Sequence, residues 1–185
     1  MKTVLCDNAG LEAVAAVLNG GGVAVIPTDT VYGLAARPDC PEAVRRLYTI
    51  KGRDELKPIA MLASGAGAVE AVGFTLGPVA RKLAQRHWPG ALTMVVGGEG
   101  FRVPDHEWTR RLLDACGGCL RVTSANLSGR RAATEAPAAL AEVGLSADIV
   151  ADGGVSPGGV PSTVLRIGDD GGIEVLRQGA VDVEA

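Results

Sequence analysis

The chain has 185 residues, of which 47% are hydrophobic but only 3% aromatic, and its net charge at pH 7 is −3. This length fits one domain with an aliphatic core, and the negative charge argues against an extended nucleic-acid footprint while leaving room for a local basic cleft. No apolar run approaches the roughly 20 residues of a membrane helix, and the first residues do not resemble a signal peptide. We therefore expect a single domain over residues 1–185, located in the cytoplasm without membrane contact.

In chain order, the pattern predicts a strand at 4–6, a helix at 11–18, a strand at 23–26, an extended segment at 31–35 and a helix at 41–50. A strand at 58–62 follows, then a helix at 78–86, strands at 93–96 and 101–103, and a helix from an Asp105 cap to 114. The last elements are a strand at 120–123, a helix at 137–143, a strand at 148–150, and a hairpin of 162–167 and 173–177 around 169–172. Because closely spaced strands pair antiparallel, we expect an α/β fold with a mixed sheet flanked by helices.

Ordinary nucleotide and metal motifs are missing from the sequence. Neither G-x-x-x-x-G-K-S/T nor G-x-G-x-x-G occurs, and the Gly-rich stretch 153–159 lacks a lysine and a following helix, so we interpret it as a flexible connection. Cys116 and Cys119 form a lone C-x-x-C, which we interpret as a turn because zinc needs a second ligand pair. We predict no metal site.

Cations follow the helix at 41–50, close to the polar turn 28–30. Lys51 and Arg53 are one residue apart, and Lys57 precedes the next strand. A solvated helix end, where the helix dipole favours cations, is one interpretation. A site that gathers a polyphosphate is the other.

A second group of polar residues lies in or after apolar strands. Ser124, Asn126 and Ser128 follow the strand at 120–123, where α/β sheets often bind ligands, although these residue types also favour turns. Arg102 and Arg177 lie within or at the end of apolar strands, so each should be paired or face a cleft. A bound carboxylate or phosphate would satisfy them, as would an acidic residue of the protein.

Seven segments, taken in order, carry a resemblance to one known family. They are 27–34 (PTDTVYGL), 51–53 (KGR), 88–93 (WPGALT), 102–106 (RVPDH), 124–129 (SANLSG), 162–164 (STV) and 176–179 (LRQG). Together they span nearly the whole chain, which resembles the YrdC-like threonylcarbamoyl-AMP synthases in their short form. The resemblance implies a single-domain YrdC-like α/β fold, with a twisted mixed parallel and antiparallel sheet, flanking helices and a concave basic cleft.

The resemblance also implies an ATP-dependent nucleotidyltransferase. L-threonine, bicarbonate or CO2, and ATP would give threonylcarbamoyl-adenylate and pyrophosphate, with Mg2+ entering together with ATP. The product would serve N6-threonylcarbamoyladenosine formation at position 37 of tRNA. The implied partners are therefore these substrates, transient contact with the tRNA threonylcarbamoyl-transfer machinery, and weak RNA binding.

Individual residues match functional positions of that family. The positions that hold threonine are matched by Thr30, Arg102, Ser124 and Ser162. Those that hold ATP are matched by Lys51, Arg53, Lys57, Asn126, Thr134 and Arg177. The catalytic polar core is matched by Lys51, Arg53, Ser124 and Asn126. The chemistry agrees, because a guanidinium can bind a carboxylate at two points and cations can offset a triphosphate.

Two positions depart from the family pattern. Leu62 stands where longer members carry a histidine, and 130–134 (RRAAT) replaces the usual Pro-Ser-Pro-Thr, which weakens the match of Thr134. Two other functions stay open from the sequence. One is a module that binds double-stranded RNA or tRNA, and the other is carbamoyl transfer in a different maturation pathway.

Overall fold

The computed structural model describes residues 2–54, 56–168 and 170–183, in which strands alternate with helices. The strands are β1 (Lys2–Leu5), β2 (Ala24–Ile26), β3 (Gly33–Ala36), β4 (Met61–Ala63), β5 (Leu92–Val96), β6 (Glu99–Arg102), β7 (Cys119–Ser124), β8 (Ile149–Asp152), β9 (Thr163–Ile167) and β10 (Ile173–Arg177). The helices are α1 (Asn8–Asn19), α2 (Pro41–Lys51), α3 (Ala66–Ala71), α4 (Pro78–His87), α5 (Glu107–Ala115) and α6 (Ala136–Glu142), and a short 3-10 helix covers Gly144–Ser146.

All the strands named above join one sheet in the order β1-β8-β2-β3-β7-β4-β6-β5-β9-β10. Strand β8 pairs parallel with both β1 and β2, and the pairs β4/β6 and β5/β9 are also parallel. The pairs β2/β3, β3/β7, β4/β7, β5/β6 and β9/β10 are antiparallel. The prediction of a mixed sheet flanked by helices is confirmed.

The two faces of the sheet bury different helices because side chains alternate along each strand. In β3, Leu34 and Ala36 pack in one core cluster with Leu47 of α2. Ala35 points to the other face and packs in a second cluster with Leu112 of α5. A third cluster, which includes Met94 and Phe101 with residues of α3 and α4, covers one face of β5 and β6. The opposite face of these strands is thereby left for the candidate site.

Three sequence predictions are corrected by the structure. No helix is predicted at 66–71, where α3 forms, because six residues of mostly Ala and Gly are too short to show helical periodicity. His106, not Asp105, caps α5, since its Nδ1 accepts from the Thr109 amide at 3.3 Å. The stretch 153–159 is not a free connection, because five of its backbone amides donate to protein acceptors.

The predicted turn at the two cysteines is present, and part of the predicted hairpin turn lies outside the described residues. The Cys116–Cys119 segment is the predicted turn between α5 and β7, and both thiols are free and buried. Among the described residues, no cluster of three or more His, Cys, Asp or Glu could hold a metal ion. Asp169 of the predicted hairpin turn lies outside the described residues. None of the helices in the described ranges is long and apolar enough to cross a membrane.

Candidate functional site

A cavity of about 610 Å³ lies on the free face of β5, β6 and β9 and extends to the ends of β3, β7 and β10. Alternation along the strands explains the lining. In β6, Phe101 points into the core and Arg102 points into the cavity, while in β5 Met94 is in the core and Thr93 lines the cavity. Seven of the ten predicted site residues line it: Thr30, Arg53, Lys57, Arg102, Ser124, Ser162 and Arg177.

The polar turn between β2 and β3 carries an ordered chain of hydrogen bonds. The Thr28 hydroxyl donates to the Val31 carbonyl at 2.7 Å, which uses its only proton. The same hydroxyl oxygen accepts from the amides of Thr30 at 3.1 Å and Val31 at 3.3 Å, and it lies 3.0 Å from the Thr30 hydroxyl. Arg102 Nη1 donates to Thr30 Oγ1 at 2.9 Å. These bonds fix the position of the Thr30 hydroxyl.

Arg102 lies almost wholly buried at the end of β6, with 7% of its side chain exposed. Its Nη2 donates to Asp29 Oδ1, so the guanidinium is paired within the protein. Burial lowers the pKa of Arg102, and the charge of Asp29 opposes that shift. Its Nε is buried and has no hydrogen-bond partner among the described residues. The sequence left open whether Arg102 is paired with an acidic residue or faces a cleft. In the structure Arg102 does both.

Ser162 and Arg177 form the opposite wall. The Ser162 hydroxyl lies 2.8 Å from that of Thr93, and Arg177 Nη2 donates to the Ser162 carbonyl at 2.7 Å. A β-bulge in β10 between Val175 and Arg177 makes Leu176 the extra residue. Neighbouring strand residues normally face opposite ways, but the bulge turns both Leu176 and Arg177 to the cavity.

Lys51 does not line the cavity but lies directly behind it. It is the last residue of α2, which ends because Gly52 adopts a left-handed conformation with φ of 57°. Its Nζ donates to the Ser124 carbonyl at 2.6 Å, to the Asn126 carbonyl at 2.9 Å and to Ser124 Oγ at 3.3 Å. Lys51 is only 3% exposed, so the interpretation as a solvated helix end is wrong for this residue.

Burial, together with the nearby charge of Arg53, lowers the pKa of Lys51 to about 8. Three oxygen acceptors still hold the ammonium in place. Lys51 thus holds the backbone of residues 124–126, called the Ser124 loop below, at the end of β7. Direct contact of Lys51 with ATP stays a prediction.

Asn126 and Thr134 are the other two predicted residues that do not line the cavity. Asn126 is buried, and its Nδ2 donates to the carbonyls of Leu127 and Arg130, both at 2.9 Å. Its Oδ1 has no partner among the described residues. The carbonyl of Thr134 accepts from the Ser156 amide at 2.7 Å. Both residues shape neighbouring loops, and their contact with ATP stays a prediction.

Cations are frequent in the lining, which includes Arg53, Lys57, Arg102, Arg166 and Arg177. None of the lining residues that the structure describes is acidic. Burial lowers the pKa of Arg177, and the charge of Arg53 adds to this effect. An anion between such groups would relieve their repulsion. Because Arg102 and Arg166 are paired with Asp29 and Glu174, the basic character of the whole cleft stays a prediction.

The Gly-rich segment 153–159 packs against the polar turn. Gly158 N donates to the Asp29 carbonyl at 3.1 Å and Gly159 N to the Thr30 carbonyl at 2.8 Å. A Cβ at Gly158 would lie 2.7 Å from the Asp29 carbonyl oxygen, so only glycine allows this approach. The Tyr32 hydroxyl accepts from Gly153 N at 3.0 Å and donates to the Gly154 carbonyl at 2.7 Å.

Sequence reasoning missed three contributors to the site: Asp29, Thr93 and Tyr32. Asp29 and Tyr32 stand on either side of Thr30 and Val31 in the polar segment, and Thr93 ends the segment 88–93. Their motifs were therefore visible, but their partners were not, because each partner lies 69 to 122 residues away in sequence.

The structure is that of an α/β protein whose mixed sheet carries a cavity lined by hydroxyl and guanidinium groups, which is typical of a site for a polar or anionic ligand. The Sua5/YciO/YrdC family model, which carries the description telomere recombination, matches residues 16–179, and the chain belongs to this family. The resemblance drawn from the sequence is confirmed.

Relatives with assigned names support the same placement. The chain is 32% identical to a putative threonylcarbamoyl-AMP synthase of Mycobacterium leprae, over 94% of this chain and 84% of that protein. It is 34% identical to the threonylcarbamoyl-AMP synthase of Bacillus subtilis, over 92% of this chain but only 53% of that protein.

Among solved structures, P. abyssi Sua5 in complex with L-threonine superposes with a TM-score of 0.89 at 28% identity. The match covers 96% of this chain and 57% of the P. abyssi chain. The YrdC-like fold expected from the sequence is confirmed by this likeness.

Proposed function

We propose that this protein is an L-threonylcarbamoyladenylate synthase. It joins L-threonine, bicarbonate or CO2, and ATP into threonylcarbamoyl-adenylate and releases pyrophosphate. This synthesis is the first step of N6-threonylcarbamoyladenosine formation at position 37 of tRNA. The proposal treats residues 1–185 as one YrdC-like domain that acts in the cytoplasm and passes its product to the tRNA-modifying machinery by transient contact.

The observation that carries the proposal is the pairing of two kinds of subsite within one cavity. On one side, the guanidinium of Arg102 and the hydroxyl of Thr30 line the cavity with Nη1 and Oγ1 2.9 Å apart, and offer donors and an acceptor at close range. These groups suit the carboxylate and the amine or hydroxyl of an amino acid. On the other side, Arg53, Lys57 and Arg177 suit the phosphates of ATP.

The reaction needs no protein nucleophile. The threonine amine attacks CO2, its nitrogen loses a proton, and a carbamate forms. A carbamate oxygen then attacks the α-phosphorus of ATP, and the bond to the pyrophosphate oxygen breaks. Holding both reactants in one cavity can lower the barrier by about 7–11 kcal/mol in favourable cases. Cations around the phosphates stabilise the charge that develops on the leaving pyrophosphate.

Mg2+ enters this scheme as part of the substrate Mg–ATP. Hard cations such as Mg2+ prefer carboxylate and phosphate oxygens. None of the lining residues described by the structure is acidic, so the phosphate oxygens of ATP, rather than protein carboxylates, would coordinate the Mg2+ ion. The residues of the cavity then have the task of orienting the phosphates around the ion.

The direct test is pyrophosphate release from ATP by the purified protein. We expect release that requires L-threonine and bicarbonate together, and we expect the adenylate as a product by mass spectrometry. Replacing threonine with carbamoyl phosphate in the same assay separates this activity from the alternative, carbamoyl transfer in another pathway. Only the alternative predicts pyrophosphate release with carbamoyl phosphate. Release that threonine plus bicarbonate fail to stimulate would contradict the proposal.

The division of the cavity into two subsites has its own test. Arg102→Ala should weaken threonine binding more than ATP binding, because its guanidinium lies beside Thr30 on the proposed amino-acid side. Calorimetry with each ligand alone measures the two effects. Equal losses for both ligands would refute the division.

A further inference from the structure

Asp29 is a buried carboxylate to which the proposed reaction assigns no role. Its side chain is 11% exposed, and it contacts Arg102 Nη2 as the counter-charge of that guanidinium. Asp29 is not among the residues that line the cavity. Arg102, which does line the cavity, therefore links Asp29 to a ligand.

The hydrogen bonds of Arg102 define which part of the guanidinium is free. A guanidinium carries five N–H donors, two on each Nη and one on Nε. Nη1 donates one hydrogen bond to Thr30 and Nη2 donates one to Asp29. Both acceptors belong to the same turn. The Nε donor is buried without a partner among the described residues. Because Nε is buried away from the cavity surface, the remaining N–H groups of Nη1 and Nη2 are the ones left for a ligand.

The turn that carries Asp29 is itself fixed. The Asp29 carbonyl accepts from Gly158 N at 3.1 Å. The amide of the next residue, Thr30, donates to Thr28 Oγ1 at 3.1 Å. A carboxylate on such a turn can hold a guanidinium in one rotation about its long axis. A free arginine side chain would sample several.

We propose that Asp29 is a positioning residue for the amino-acid substrate, which holds the Arg102 guanidinium in the rotation that presents its remaining Nη donors to the substrate carboxylate. This inference rests on the proposed function, because it takes L-threonine as the ligand. Asp29 acts by orienting a two-point contact, so its contribution depends on the presence of a carboxylate in the ligand.

The test compares L-threonine with L-threoninamide, which lacks the carboxylate charge, in binding to wild type and Asp29→Ala by calorimetry. We expect wild type to prefer L-threonine, and Asp29→Ala to bind L-threonine at least about tenfold more weakly, the effect of one charged hydrogen bond. Affinity for L-threoninamide should change less than about twofold, which is within 0.4 kcal/mol. ATP affinity should also be unchanged.

Two further variants serve as a substitute and as a control for Asp29→Ala. Asp29→Asn keeps the side-chain volume and one acceptor oxygen, so it should show an intermediate loss, and it carries the test if Asp29→Ala does not fold. Glu99→Gln is the matched control, because Glu99 also pairs with an arginine, Arg121, in a partly buried ion pair but does not line the cavity. It should bind both ligands like wild type.

Several results would overturn the inference. Equal loss of both ligands in Asp29→Ala would show that Asp29 contacts the amine or only maintains the fold. A further loss of threonine affinity when Asp29→Ala is added to Arg102→Ala would show that it does not act through Arg102. If wild type binds neither ligand, the proposed function fails as well, whereas wild-type preference retained in Asp29→Ala overturns the Asp29 inference alone.

Discussion

Replacing Lys51 by Met would remove the ammonium that holds the Ser124 loop, while keeping most of the side-chain volume. Three contacts are lost, of which those to the carbonyls of Ser124 and Asn126 are the shortest. The Ser124 carbonyl keeps a second donor, the Asn126 amide at 2.9 Å. The Asn126 carbonyl is the acceptor that the substitution harms most.

The effect on stability is the difference between two terms of similar size. Hydrogen bonds from a charged donor contribute about 1.5–3 kcal/mol each, and two strong ones disappear. Removing the cation also relieves the cost of burying it, which lowers its pKa from 10.5 to about 8. At about 1.36 kcal/mol per pKa unit, this relief is on the order of 3 kcal/mol. We therefore expect Lys51→Met to lose only about 0–3 kcal/mol of unfolding free energy.

The effect on activity should be far larger than this change in stability. Ser124 lines the cavity, and a shift of about 1 Å at a reacting centre can reduce the rate about 10²-fold. We expect threonine- and bicarbonate-dependent pyrophosphate release to fall by about that factor, with unfolding followed in parallel by urea denaturation. Arg45→Met is the matched control, since Arg45 is an exposed cation on the same helix.

A clear result would refute this reasoning. If Lys51→Met keeps wild-type kcat/KM for both substrates, the loop needs no ammonium to stay in place. If it loses more than about 5 kcal/mol of unfolding free energy, the stabilisation expected from removing the buried charge has been overestimated.

The remaining predictions concern Tyr32 and the titration of Lys51. Tyr32→Phe should lose about 1 kcal/mol, because Gly153 and Gly154 are exposed and can bind water instead. Hydrogen exchange at the Gly158 and Gly159 amides should become faster in this variant, and unchanged exchange would argue that Tyr32 does not hold the segment. For Lys51, the folded pKa of about 8 lies below the ordinary 10.5, so between these pH values the unfolded chain binds a proton that the folded protein has released. The stability of wild type relative to Lys51→Met should therefore rise with pH across that window, by at most about 1.4 kcal/mol per pH unit, in urea denaturation at several pH values. A difference that does not change with pH would mean that the hydrogen bonds of the ammonium keep its pKa near the ordinary value.

Elements with strong local signals were predictable within a few residues. Pro41 marks the start of α2, and the strands β9 and β10 agree with the alternating pattern at 162–167 and 173–177. These signals are local because a proline ring, a turn or a period of two acts on neighbouring residues. The pairing of β1 with β8, more than 140 residues later, has no such local signal.

The candidate site shows the same limit at the level of side chains. The motifs indicated Lys51, Ser124 and Asn126, but not that the Lys51 ammonium would bind the backbone of the other two, 73 and 75 residues away. A cation at a helix end is usually solvated, and only the tertiary approach of the β7 loop makes this one buried. In the same way, the Gly-rich composition of 153–159 indicated flexibility, whereas distant acceptors at Asp29 and Thr30 hold the segment.

The hydrogen-bond order in the turn 28–30 has a consequence for ligand selection. Arg102 Nη1 occupies one lone pair of the Thr30 hydroxyl, which keeps a second lone pair for a ligand N–H or O–H group. Arg102 itself has only donors, so a carboxylate can satisfy it and an ammonium cannot. The two neighbours therefore distinguish the ends of an amino acid, because a ligand in the reversed orientation would place its ammonium against a guanidinium that offers no acceptor.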